Sequence, residues 1–227
     1  MKYRVVEIQA SILRKNDTLA ANLRRRFAAD GTLVVNLLSS PGSGKTTLLE
    51  ATLRELATRY KAAALVGDQA TDNDAIRLRR SGVPVHQITT AAECRLDAEM
   101  LTSALAAWDP GAVDLLFIEN VGNLICPAEY DLGEDLRVVV FSVTEGEDKP
   151  LKYPLAFNTA QLAVLSKIDL AEAVGFDRAA ALSAIEAVHP GLEVIELSAK
   201  TGQRFEHWIA QLEARLREKR ALLAGAR

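Results

Sequence analysis

The residues with the clearest chemical content are Gly42-Ser43-Gly44-Lys45-Thr46, which follow the apolar run Leu33-Val34-Val35-Asn36-Leu37-Leu38 and precede a helical pattern. The turn through Ser39, Ser40, Pro41, Gly42, Ser43 and Gly44 leaves backbone N–H groups pointing inward with no large side chain in the way. Those donors and the positive end of the following helix form a cradle for polyphosphate. In such a cradle Lys45 reaches the β- and γ-phosphates, the Thr46 hydroxyl ligates Mg²⁺, and Thr47, which opens the helix, joins Pro41 through Thr46 in binding the nucleotide. The full pattern has Gly where this chain has Ser39, but the Gly-x-Gly-Lys-Thr core is intact and sits between a strand and a helix.

A second set of residues suits a purine. Guanine presents its N1–H and its 2-amino group side by side, and one carboxylate accepts both in a bidentate, charge-assisted match. Adenine has an acceptor at N1 and no 2-amino group, so the same carboxylate repels it. Asp169, in Ser166-Lys167-Ile168-Asp169 at a strand end, suits that role, with the Lys167 stem covering one ring face. The turn Ser198-Ala199-Lys200 can add a backbone N–H to the guanine carbonyl. GTPases usually carry Asn where this chain has Ser166, which shortens or removes one contact that ties the loop down.

A third set suits magnesium and a switch. Besides Thr46, the cation needs oxygen ligands, directly or through water. Glu119 follows an apolar run, where many phosphate-loop proteins keep an acid. Asp68 and Asp74 follow the next strand, where a segment can sense the γ-phosphate. Asp72 and Asp74 equally suit solvent or helix capping.

These residues need a scaffold that brings them to one edge. Apolar periodicity predicts helices at 12–29 (with Leu19, Leu23 and Phe27 on one stripe, ended by Asp30-Gly31), 47–60, 74–81, 96–108, 178–188 and 204–221. Strands are predicted at 62–66, 83–88, 113–118, 136–143, 161–165 and 192–197. Strands alternating with helices imply an α/β fold, a mostly parallel sheet with helices on both faces, of the P-loop NTPase type. The expected organisation is one domain over residues 1–227, with 1–30 as a helical extension that packs on the domain or on another subunit. In such a sheet ligands sit at the strand carboxyl ends, and every motif above falls there.

Several strings carry a family resemblance. Val66-Gly67-Asp68, Asp74-Ala75, Gln87-Ile88-Thr89-Thr90 and Cys94 with Leu96-Asp97-Ala98 resemble the hydrogenase nickel-incorporation GTPases, HypB. So do Glu119-Asn120-Val121-Gly122-Asn123-Leu124-Ile125-Cys126-Pro127, Asp131-Leu132-Gly133 and Ser142-Val143-Thr144-Glu145-Gly146. The resemblance implies a P-loop GTPase of the SIMIBI class that dimerises in the GTP state. It implies slow hydrolysis and a role in nickel delivery to the large subunit of [NiFe]-hydrogenase, with a small zinc-containing nickel chaperone resembling HypA as partner. The absence of an obvious water-orienting Gln fits slow hydrolysis.

The family's metal site is where the sequence departs. In the family a Cys-His pair matches Cys94-Arg95 and a second Cys matches Cys126; together they bind zinc or nickel at the dimer interface. A guanidinium has no free lone pair, so Arg95 cannot ligate a metal. Cys94 and Cys126 remain: two thiolates per chain, doubled across a two-fold axis, suit Zn²⁺ or Ni²⁺, with Glu93 or Asp97 as added oxygen ligands. The alternative is that both are small buried apolar residues. The Cys-rich nickel motif and the His-rich tract of the family are absent. Of the histidines, His86 is expected in a strand, and His189 and His207 at the surface. The segment that senses γ-phosphate runs on to Cys94, so GTP binding is expected to move the thiols.

Composition bounds the rest. The chain has 227 residues, 25% charged and 49% hydrophobic, with net charge −3, so it has no electrostatic footprint for nucleic acid. Arg24-Arg25-Arg26 reads as a solvated helix face. No apolar run approaches membrane-spanning length, the start lacks a signal-peptide layout, and two cysteines make no disulfide scaffold, so a cytoplasmic location is expected. Competing readings are a small-molecule kinase, which Asp169 argues against, a GTP-gated scaffold with no metal of its own, and a urease-accessory-type GTPase, whose Cys-Pro-His motif is not found.

Overall fold

A computed structural model describes residues 2–69, 71–91 and 93–225, with side chains from residue 10 onward. Among these residues the strands are β1 (Leu33–Ser39), β2 (Ala62–Asp68), β3 (Val85–Thr89), β4 (Leu115–Gly122), β5 (Leu136–Ser142), β6 (Leu162–Ser166) and β7 (Val194–Glu196). They form one seven-stranded sheet in the order β3-β2-β4-β1-β5-β6-β7, and every pairing is parallel. Strands covered on both faces are buried throughout, and β1 and β5 are buried at every position, apolar runs interrupted by the buried polar residues Asn36 and Arg137.

The helices are α1 (Lys2–Asp30), α2 (Lys45–Leu56), α3 (Asn73–Arg79), α4 (Ala98–Ala107), α5 (Lys149–Lys152), α6 (Pro154–Asn158), α7 (Arg178–Val188) and α8 (Phe205–Gly225). Alternate residues of one strand serve opposite layers. Val34 of β1, with Leu116 and Ile118 of β4, packs on Leu23 and Phe27 of α1 and Leu101 and Leu105 of α4. Val35 and Leu37, with Leu115 and Phe117, pack on Leu48 and Leu53 of α2 and Trp208 and Leu212 of α8. The buried Trp208 indole N–H is satisfied by the Thr52 hydroxyl at 2.8 Å. Around β5 and β6, Phe141 meets Phe157 of α6 edge-on, 5.3 Å between ring centres.

Helix α1 is longer than periodicity predicts, because no Gly or Pro interrupts it before Gly31. It lies on its own sheet. Asn16 donates to the Asp131 carbonyl (2.9 Å) and accepts from the Ala98 N–H (2.9 Å), and Arg24 grips the Asp131 carboxylate at 2.7 and 2.8 Å. The Arg24-Arg25-Arg26 run is exposed, as expected. Two short helices, α5 and α6, fall where the periodicity predicts no element; Pro150 and Pro154 each sit in a first helical turn, where the missing N–H costs nothing. Glu119 was expected after β4 but lies inside it, opposite Leu37 of β1 and Val66 of β2, since backbone pairing on both sides carries the strand past the carboxylate. Among the described residues no helix is long and apolar enough to cross a membrane.

Candidate nucleotide and thiol site

Because all strands run the same way, their carboxyl ends share one rim. The loop between β1 and α2 crosses it with Gly42 at φ +80° and Gly44 at φ +94°, left-handed conformations that glycine adopts without strain. A cavity of about 560 Å³ opens above this loop. It is lined by Ser39 through Thr47 and also by Asp68, Asp74, Arg77 and Lys167.

The Lys45 ammonium donates to Glu119 Oε1 at 2.8 Å and to the Asn120 carbonyl at 2.7 Å. The Thr46 hydroxyl donates to the same Glu119 oxygen at 2.6 Å. Both Lys45 and Glu119 are buried, so the ion pair is enclosed. Among the described residues Glu119 Oε2 is buried and has no partner. A buried carboxylate oxygen beside a Thr hydroxyl is a donor set that fits Mg²⁺ or a water it carries.

A second cavity of about 340 Å³ shares Gly44, Thr47, Arg77 and Lys167 with the first. Its remaining wall includes Ser166, Asp169, Ser198, Ala199 and Lys200. The structure thus brings the two purine-type loops against the phosphate-type loop. Ser166, short as it is, still ties them: its hydroxyl donates to the Ser43 carbonyl at 2.5 Å. Lys167, itself at φ +58°, donates to the Gly42 carbonyl at 2.6 Å, so its stem crosses the loop.

Asp68 ends β2 and accepts from the Thr71 hydroxyl at 2.9 Å. Asp74 sits in the first turn of α3 and faces the larger cavity, while Asp72 occupies the cap position without a side-chain cap bond. Sequence reasoning missed Arg77. Its guanidinium donates to Glu50 (2.6 Å) and to the Thr47 hydroxyl (2.9 Å) and borders both cavities. The signal was present: three residues past Asp74 on a helix is the same face.

Cys94, in the loop after β3, and Cys126, which starts a 3₁₀ turn after β4, meet sulfur to sulfur as a disulfide pair, Cα atoms 6.3 Å apart. Both are half-buried, unlike small core residues. Glu93 and Asp97 do not turn toward them. Glu93 pairs with Arg95 at 2.9 Å, and Asp97 caps α4 by accepting the Met100 N–H at 2.9 Å. Among the described residues no group of three His, Cys, Asp or Glu side chains converges to hold a metal ion. The Arg95 guanidinium lies 3.9 Å over the Tyr130 ring.

The histidines are elsewhere. His86 is in β3, stacked on Trp108 at 5.2 Å, and burial followed by the nearby Arg79 charge lowers its pKa. His207 is exposed; His189, expected at the surface, is half-buried with Nδ1 2.9 Å from the Phe157 carbonyl.

Comparison with known proteins places this geometry. Residues 33–196 match the family model described as CobW/HypB/UreG, nucleotide-binding domain. The chain is 50% identical over 210 residues to the hydrogenase maturation factor HypB of Azotobacter vinelandii, covering 92% of this chain and 69% of that one. It is 48% identical to HypB of Escherichia coli K12, covering 92% and 72%. Among solved structures, HypB of Helicobacter pylori in complex with nickel superposes with a TM-score of 0.85 at 39% identity, covering 90% of this chain and 96% of that one. HypB of Archaeoglobus fulgidus superposes at 0.83 and 43%, covering 90% and 100%. The phosphate-type loop, the all-parallel sheet and these matches agree: the chain belongs to the CobW/HypB/UreG nucleotide-binding family, and within it to HypB.

Proposed function

We propose that this chain is a GTP-binding, slowly GTP-hydrolysing factor that assists nickel insertion during [NiFe]-hydrogenase maturation. The observation that carries the nucleotide half is the meeting of two cavities across Gly44, Thr47, Arg77 and Lys167. The larger has the backbone donors and Lys45 for phosphates. The smaller has Asp169 for the paired donors of guanine and Ser198-Ala199-Lys200 for its carbonyl. Thr46, Asp68, Asp74 and Glu119 are the residues that would hold Mg²⁺, directly or through water. A cation held by these residues would supply positive charge against the β- and γ-phosphates.

The nickel half rests on the family and on Cys94 and Cys126. Nickel is cargo, and each chain offers it two sulfurs once they are reduced. A GTP-dependent homodimer doubles that number. A HypA-like nickel chaperone and the hydrogenase large subunit are the partners this reading requires, in the cytoplasm. The hydrogen bonds along the rim supply coupling. Thr90 N–H donates to the Asp68 carbonyl (2.9 Å), Gln87 to the Thr71 carbonyl (2.6 Å) and Gln69 to the Glu93 carbonyl (3.2 Å). The segment beside the γ-phosphate is thereby laced to the chain that bears Cys94.

The test is nickel titration of the reduced protein with GDP and with a non-hydrolysable GTP analogue, after showing that GTP displaces a fluorescent guanine nucleotide and ATP does not. Affinities differing by about fivefold or more support the cycle; equal affinities remove it, and equal competition by ATP removes the guanine assignment. Arg95 favours a second reading, a GTP-gated scaffold that binds no metal itself. Nickel and zinc analysis of untagged protein separates the two.

A further inference from the structure

Beneath the rim a buried polar chain links the phosphate-type loop to both thiol-bearing loops, and it meets at one residue, Asn120, through its backbone carbonyl on one side and its side-chain amide on the other. The Asn120 carbonyl accepts from Lys45 Nζ at 2.7 Å. Its side chain has the strand parity of Leu116 and Ile118 and so lies on the opposite face of the sheet, toward α1 and α4. There Asn120 Oδ1 accepts from the Leu96 N–H at 3.1 Å, two residues past Cys94. Asn120 Nδ2 donates to Asn36 Oδ1 at 3.4 Å, and Asn36 Nδ2 donates to Glu134 Oε1 at 3.2 Å. Arg137 donates to that carboxylate at 2.7 Å and to the Ala128 and Tyr130 carbonyls at 2.9 Å each, which sets the turn that begins at Cys126.

Asn36, Asn120, Glu134 and Arg137 are all buried. A buried amide with its partners satisfied is costly to rotate, so it holds a single arrangement. An apolar residue at Asn120 would fill the space with less risk of an unpaired group. The forked arrangement is what an apolar residue cannot reproduce.

From this geometry we infer that Asn120 is a positioning residue: it transmits the position of the Lys45 ammonium to the loops that carry Cys94 and Cys126. Phosphate oxygens compete with the Asn120 backbone carbonyl for Lys45 Nζ, and the β- and γ-phosphates together draw the ammonium away more strongly than the β-phosphate of GDP alone. When they win, the carbonyl loses its charged donor, and the amide beyond it readjusts against Leu96 on one branch and Asn36 on the other. This inference rests on the proposed nucleotide site and adds to it a route to the thiols distinct from the one along β3.

The experiment follows alkylation of reduced protein by iodoacetamide, with Cys94 and Cys126 separated by mass spectrometry, in GDP and in a non-hydrolysable GTP analogue. In the wild type the rates at both sites differ between nucleotides by at least about fivefold. Asn120→Ala binds both nucleotides within about threefold of wild type, yet its rate ratios fall to within about twofold of unity at both sites. Asn36→Ala cuts one branch only: Cys126 loses its ratio and Cys94 keeps it. Ratios that survive in Asn120→Ala overturn the inference, as does a nucleotide-binding wild type with equal rates. A wild type that binds neither nucleotide overturns the nucleotide site itself and this inference with it. Should Asn120→Ala fail to fold, hydrogen exchange of the wild-type Leu96 amide decides. Protection that shifts between nucleotides by about tenfold supports the route, and unchanged protection overturns it.

Discussion

Lys45 Nζ lies 2.8 Å from Glu119 Oε1, and the two side chains are 9% and 1% exposed. A pair this enclosed is weak evidence for net stabilisation, but removing one partner strands a charge. Lys45→Ala should therefore cost about 3–5 kcal/mol of folding stability as well as abolish nucleotide binding. Adding Glu119→Gln to it should recover most of the stability and none of the binding. Urea unfolding and nucleotide titration of the single and double variants read the two effects separately. A stable Lys45→Ala would show that the Glu119 carboxylate is reached by water.

Asp169→Asn tests the purine assignment. Each charge-assisted hydrogen bond to guanine is worth about 1.5–3 kcal/mol. Asparagine keeps one acceptor and presents a donor toward the 2-amino group. GTP affinity should fall by at least tenfold, on the order of one lost charge-assisted bond. Xanthosine triphosphate, with a carbonyl at that position, should gain. Unchanged preference between the two nucleotides would move the base elsewhere.

Gly133 fixes how α1 lies on the sheet. It has φ +77°, and a Cβ there would stand 2.6 Å from the Ala20 carbonyl and 2.9 Å from the Arg24 nitrogen, both backbone atoms of α1. Gly133→Ala should destabilise the protein by about 2–4 kcal/mol, the sum of left-handed strain and displaced helix. Gly175 has φ +64° with nothing near, so Gly175→Ala should cost only the strain, about 1–2 kcal/mol. Equal losses in denaturant melts would mean that α1 yields freely.

Acid should loosen the same seam. Burial alone would raise the Asp131 pKa, but the Arg24 guanidinium and the Gly133 N–H outweigh it and hold the carboxyl below its ordinary 3.8. A folded-state value below the unfolded one contributes stability that is present above the unfolded value and lost as pH falls through the folded one. The stability gap between wild type and Asp131→Asn should thus be constant near neutral pH and close only below about pH 4. A gap already closing at pH 6 would assign the effect to another group.

Arg95→His restores an imidazole beside Cys94 and removes a fixed positive charge. With reductant present, zinc affinity of the variant should exceed that of the wild type by at least about tenfold, as three ligands replace two. Equal affinities would mean that the paired thiols suffice, and binding by the variant alone would mean that this chain has given up its own site.

The rim itself was legible in the sequence, because parallel strands announce themselves as apolar runs and their ends carry the polar strings. The helix over 178–188 needed only local periodicity. What escaped depends on distant partners. The place of Glu119 is set by pairing with β1 and β2, and the Lys45 ammonium that neutralises it comes from another element. Arg77 has no motif of its own, and only the fold sets it on the same cavity wall as Asp169 and Lys200. Asn36 reads as an oddity in an apolar run, and only its bonds to Asn120 and Glu134 show why a polar residue belongs there. Cys94 and Cys126 were expected near each other at strand ends, but their meeting across 32 residues is a product of the fold.

That meeting bears on how the protein is handled at the bench. Two sulfurs bonded to each other have no electron pair in thiolate form to offer an incoming ion, so a batch exposed to air and a batch kept under reductant are different reagents. A blank metal trace from the first speaks of storage, and only a thiol count taken on the same day turns it into a statement about the molecule.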